Sequence, residues 1–338
     1  MTHRNRRFWV FSYGLALMTA VLMVSSSCRR KPRQERPLDF LPPKANVIAV
    51  VEYGRFRTNE LFRQVFDDRE LKRIFREVGL SEEDVLRIAG FVEVNPGFLQ
   101  REGRSSEGES PGEFGVIIQA NKPLHAVLKA LPEQGWVRRS RGAKRFWVAP
   151  EGTPSLAAAS LRGNMIAAGT RAAVEEVLDV AAGKSVSATV PRSGNEFAAI
   201  IRRMGLFGEV SIAISFTKEM KLAAEEVARS AGVFGGMTGG MMVGGVLEAL
   251  GAGRGVGLSF GGKDGGISSR VVFVAKDAAA AKVIAGLVSV AKIAAPAMAP
   301  FAPSEAMDVI QSLKVRSEND AVLVDFAIPA EAFKNLGR

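Results

Sequence analysis

Residues 47–53, VIAVVEY, form a β-branched run of the kind that makes a buried strand, and residues 210–216, VSIAISF, form a second. From Val210 the order of elements set out from Val47 begins again. The stretch RGVGLSF corresponds to IAGFVEV, and ISSRVVFVAKDAAAAKVIAGL to EFGVIIQANKPLHAVLKAL. The closing SLKVRSENDAVLVDFAIP corresponds to the hairpin GWVRRSRGAKRFWVAP. A recurrence of this length predicts an α+β fold made of two tandem copies of a strand-helix-strand-strand-helix-hairpin unit, residues 47–190 and 191–338. Mostly antiparallel sheets, with helices packed on one face, are expected.

The elements between these anchors follow from spacing and punctuation. Leu61, Phe62, Val65 and Phe66 recur with helical period, and Asp67 and Glu70 form a capping box for a further helix carrying Leu71, Ile74, Phe75 and Val78. Ser81 to Asp84 repeats the device on a shorter scale. Leu124, Val127, Leu128 and Leu131 share a helix face, as do Val174, Val177, Leu178 and Ala181, whose helix stops at Gly183. Phe197, Ile200, Ile201 and Met204 mark another helix. In the Ala-rich stretch from Asp277 to Ala294, Val283, Ile284, Leu287 and Ala291 share a face, and Pro296, Pro300 and Pro303 are expected to end the helix and keep the following residues extended.

The amino end has a different character. Arg4, Arg6 and Arg7 precede an apolar run of seventeen residues from Phe8 to Val24, and Ser25-Ser26-Ser27 leads into Cys28. A basic start, a short apolar core and a small-residue site make an export signal. Residues 25–28 resemble the lipobox of bacterial lipoproteins, with Ser25 where that family usually carries Leu. The resemblance implies that Cys28 takes a diacylglyceryl group and becomes the first residue of the mature chain, which makes residues 1–28 a signal peptide. The competing reading is an uncleaved anchor, for which Arg29, Arg30, Lys31, Arg33 and Arg36 argue through the preference of positive charge for the cytoplasmic side. The chain's single cysteine standing at the lipobox position favours the lipoprotein, and it leaves no thiol for an intrachain disulfide. The Pro- and charge-rich residues 29–46 read as an extended tether. The expected location is the cell envelope, on a membrane, facing the periplasm or the exterior.

The net charge of +10 is unevenly placed: residues 1–36 hold eight Lys/Arg and one Glu, a net +7, which leaves +3 for residues 37–338. A basic segment beside a lipid anchor suits an anionic membrane surface, whereas nucleic acid would need the charge spread over a folded face. No nucleic-acid partner is expected.

Within the body, two segments are candidates for contact. The hairpin from Trp136 to Val148 carries Arg138, Arg139, Arg141, Lys144 and Arg145, flanked by Trp136, Phe146 and Trp147. It is the best candidate surface for an anionic envelope component, and charge at an exposed hairpin also serves solubility and edge protection. The other segment is the uncharged run 230–247, where glycines recur four apart and Met237, Met241 and Met242 offer adaptable apolar contacts. It reads as a closely packed helix pair, as a lipid-contacting element, or as a flap over an apolar ligand.

Catalytic motifs fail on context. Gly108 to Gly112 spells a nucleophile elbow inside a polar loop, and Gly257 to Asp264 approaches a phosphate-binding loop with Asp264 where Ser or Thr is needed. With His3 in the signal, His125 is the remaining histidine, so no multi-His or Cys metal site is expected, and no cofactor. Glu52, Glu93, Asp264 and Asp325 are carboxylates that would have to converge in space to support a hydrolase. The stretches LPPKANVIAVVEY, SLAAASLRGNMIAAGTRAAVEEVLDVAAG and VLVDFAIPAEAFKNL resemble a family of bacterial exported proteins known as a domain of unknown function. That resemblance implies a repeated α+β fold outside the cytoplasm and no activity. The expected role is noncatalytic binding or scaffolding, followed by a lipid-binding or membrane-active one through 230–247, with a carboxylate hydrolase third.

Overall fold

Strand β1 (Val47–Val51) has a neighbour on each side: it pairs antiparallel with β2 (Val85–Val94) and with β8 (Val210–Ser215). The structure, a computed structural model, describes residues 35–65, 80–94, 112–150, 155–191, 196–205, 208–218, 220–222, 251–263, 266–298 and 304–330. Outward from β1 and β2 come β3 (Gly112–Ala120), β7 (Met165–Thr170), β6 (Leu156–Leu161), β5 (Lys144–Val148) and the edge strand β4 (Val137–Arg141). Outward from β8 come β9 (Gly253–Lys263), β10 (Gly266–Ala275), β12 (Ala321–Pro329) and the other edge, β11 (Lys314–Glu318). The result is one sheet of 12 strands in which every neighbouring pair is antiparallel. Residues 36–338 form a single compact unit.

Both faces of this sheet are covered, which corrects the expectation of helices on one face. The reason is visible in the strands, where apolar side chains leave on both sides of the pleat. Ile48, Val50, Ala89, Phe91, Ile117, Ala157, Ala159, Met165 and Ala167 enter one buried cluster with α4 (Arg171–Ala181) and α5 (Phe197–Met204). Their alternates Val51, Ile88, Ile118, Ala158 and Ile166 enter another. That second cluster includes Tyr53 and Phe56 of α1 (Tyr53–Phe56), Phe62 of α2 (Glu60–Val65) and Leu128 of α3 (His125–Lys129). On the same side, Ala280, Ala281 and Ile284 of α6 (Ala278–Met298) pack with Val322, and α7 (Ser304–Ser312) lies against β12.

The apolar residues of α4 and α5 singled out by period are buried, Ile201 partly so. Ser81 accepts the backbone N–H of Glu83 to start a short 3₁₀ turn, Glu82–Asp84. Helix α6 departs from expectation in two ways. It continues through Pro296 to Met298, and a further helix, α7, follows where an extended stretch was expected. Val283 and Leu287, expected on the packed face with Ile284, are exposed together with Val290 and Ile293. The low polarity of α6 all round hid which face would be covered. Near its start, Asp277 accepts the N–H of Ala280 as an N-cap at 2.8 Å.

The tether is shorter than residues 29–46. Pro37–Phe40 form a 3₁₀ turn, and Leu38, Phe40, Leu41 and Ala45 are buried in the α4 and α5 cluster. Ser187 and Thr189 both donate to the carbonyl of Leu38, and Asn46 donates its N–H to Val92. The prolines that suggested a spacer shape an ordered entry into the core.

Candidate functional site

The hairpin from Val137 to Val148 ends the sheet. Arg141 is in register with Lys144, so two residues make the turn, and Gly142 takes φ +57 there while Ala143 does not have positive φ. A positive φ at the first loop position alone is the pattern of a II′ turn, which glycine adopts without strain. Every residue of β4 is exposed, while Phe146 and Val148 of β5 are buried. Alternation then divides the five cations. Arg139, Arg141 and Lys144 share the face of Phe146, where α4 lies, and Arg138 and Arg145 share the opposite face with Trp147. The guanidinium of Arg138 stands 6.0 Å from the centre of the Trp147 ring.

Arg141 differs from the other four. It donates to Asp179 at 2.7 Å and to Glu175 at 2.7 Å, both on α4. Glu175 also accepts from Arg171 one turn earlier, at 2.8 Å. The hydrogen bond from Arg141 holds the Asp179 carboxyl below the usual range, and the same bond raises Arg141. Arg138, Arg139, Lys144 and Arg145 have no carboxylate partner among the described residues. Arg138, Arg139 and Arg145 line an open cleft of about 800 Å³ together with Arg141, Phe146, Arg171 and Glu175, and Lys184 approaches its rim beside Gly142. Sequence reading found the hairpin cations but missed Arg171, Glu175, Asp179 and Lys184. The spacing of 171, 175 and 179 along one helix stripe was the available signal.

Other carboxylates are dispersed. Glu52 receives both bonds of a bidentate pair from Arg87, at 2.6 and 2.7 Å. Glu93 faces Glu113 across β2 and β3, near the Lys44–Glu176 ion pair of 2.8 Å, and burial raises its carboxyl. Thr170 donates to Glu113. Asp325 is held by Arg270 at 2.6 Å and Arg316 at 2.7 Å beside a cleft of about 290 Å³ near Met204 and Ser259. Glu52 and Glu93 lie at opposite ends of β1, and Asp325 is on β12, so these three do not converge. Asp264 lies outside the described residues, as do Cys28, Met237, Met241 and Met242. Gly257 to Lys263 run inside β9 and form no phosphate-cradling loop. Among the described residues, no three of His, Cys, Asp and Glu are grouped to hold a metal ion, and no helix is long and apolar enough to cross a membrane.

No family model and no curated protein matches the chain. Crystal form III of TP0453 aligns with a TM-score of 0.47 at 10% identity, over 89% of this chain and 97% of that one. Form IV gives 0.45 at 9% identity over 89% and 96%, and form I gives 0.43 at 10% over 90% and 97%. Likeness at this level carries no functional argument.

Proposed function

We propose that the chain is a lipid-anchored envelope protein whose body is a noncatalytic binding or scaffolding module that engages an anionic component through the β4–β5 hairpin. The observation that carries this reading is that Arg138, Arg139 and Arg145 at an open cleft, and Lys144 at the adjoining turn, have no carboxylate partner among the described residues, while Arg141 is neutralised by α4. Attachment through Cys28 rests on its lipobox context, and it sets the protein outside the cytoplasm.

The body is read as two α+β units, duplicated and joined at the β1–β8 pair. In support, β2 and β3 follow β1 in the sheet as β9 and β10 follow β8. The hairpin that corresponds to β11–β12 is then β6–β7, because β12 lies beside β10 as β7 lies beside β3. Under this reading β4–β5 is an addition to the first unit, and the cations sit on the part that is not shared.

The test has two arms. Mass analysis of the N-terminal peptide from the native envelope is expected to show a diacylglyceryl group on Cys28; an unmodified peptide spanning Cys28 overturns the anchor. Retention of the body on phosphocellulose is expected to fall sharply in R138Q/R139Q/K144Q/R145Q, and unchanged retention overturns the binding surface.

A further inference from the structure

We infer that the anionic component met by the hairpin is the headgroup layer of the membrane that carries the protein's own anchor. This rests on the anchoring proposed above and adds a distance argument. The folded body begins at Arg36, so residues 29–35 alone separate Cys28 from it. Seven residues reach at most about 25 Å when fully extended. Helix α4 touches the Pro37–Phe40 turn and also β4, and a helix with its side chains is about 10–12 Å across. The cationic edge and the root of the tether therefore flank the same helix, and both lie within reach of one bilayer surface.

The distribution of charge favours a plane over a small ligand. Arg139 and Lys144 leave one face of the hairpin and Arg138 and Arg145 the other, so all four can meet the same partner only from beyond the sheet edge. A membrane surface approaches from that direction. Val137, 48% exposed, adds an apolar contact at the same edge. The sequence adds further cations at 29–31, 33 and 36, between the anchor and the body. Each Lys or Arg close to an anionic leaflet increases partitioning about five-fold, and salt screens the effect.

The body from residue 29 onward, whose core is one compact unit, suits the test because Trp136 and Trp147 are its sole tryptophans and both flank this hairpin. It is mixed with phosphatidylcholine vesicles and with vesicles containing about one-third phosphatidylglycerol, each bearing brominated acyl chains to quench tryptophan. Binding and quenching are expected with the anionic vesicles alone, lost in high salt, and weakened ten-fold or more by R138Q/R139Q/K144Q/R145Q. Removing as many exposed cations elsewhere, in R202Q/K276Q/K282Q/K314Q, is expected to change binding less than two-fold. Equal weakening by both variants, binding without quenching, or retention on phosphocellulose without vesicle binding would each overturn the docking face. The body carries no lipid in this assay, so the result stands apart from the state of Cys28.

Discussion

Arg141 serves two carboxylates at once and thereby fixes the hairpin against α4. Replacing it with Ala is expected to cost about 0.5–1 kcal/mol in chemical denaturation at neutral pH, the scale of a partly exposed, multiply bonded ion pair. The pH dependence has a definite sign. Asp179 is lowered in the folded state, so its contribution is present above the unfolded carboxylate pKa and is lost as pH falls through the folded value. The difference between wild type and R141A should therefore shrink below about pH 4. Glu93 has the opposite sign. Burial raises its carboxyl, so its charge weakens the fold at neutral pH and the penalty fades on acidification. Glu93→Gln is expected to raise stability slightly, by about 0.3 kcal/mol after solvent screening, with thermal melts at pH 7 and pH 3.5 as the check. The Glu93 effect was not legible in sequence, because Glu93 and Lys44 come together only through the fold and carry no local motif.

Helix α5 lies close on β9 because Gly255 and Gly257 present no side chain. A Cβ at 257 would stand 2.5 Å from the Ile200 side chain and 3.0 Å from the Met204 sulfur. Gly257→Val is expected to destabilise by about 1–3 kcal/mol through overpacking, measured by urea unfolding. Loss of the α6 cap in Asp277→Ala should cost about 1 kcal/mol. Elements of this kind were readable where side-chain period or turn chemistry is local. The β4–β5 turn, the α4 face and the Ser81 cap all follow from residues within a few positions of one another. The near phosphate loop has a distant cause: Gly257 answers to a helix some fifty residues earlier in the chain and Gly262 lies against Asn59, and both sit inside a strand. The charges of β4 also make physical sense at its place in the sheet, since cations on an exposed strand deter pairing with another chain.

At the scale of the molecule, the α+β class was legible but the single sheet was not. The strands at 47 and 210 both looked like buried runs, yet nothing in their own residues says that each is the other's neighbour. Their pairing joins the two expected units, so calorimetry of the body is expected to show one transition, and two resolved transitions would contradict a shared core. A fragment ending at residue 205 is expected to aggregate, because β1 would expose a long apolar edge where β8 belongs. Sequence spacing also misjudged the start of the body, since Leu38, Phe40 and Leu41 are core residues among prolines. That early segment and β1 have a temporal consequence. Both must wait for partners much farther along, Ser187 and Thr189 for the first and Val210 onward for the second. A nascent chain emerging from its amino end cannot finish its centre until well past the midpoint, and such delayed closure would suit the export proposed for this chain.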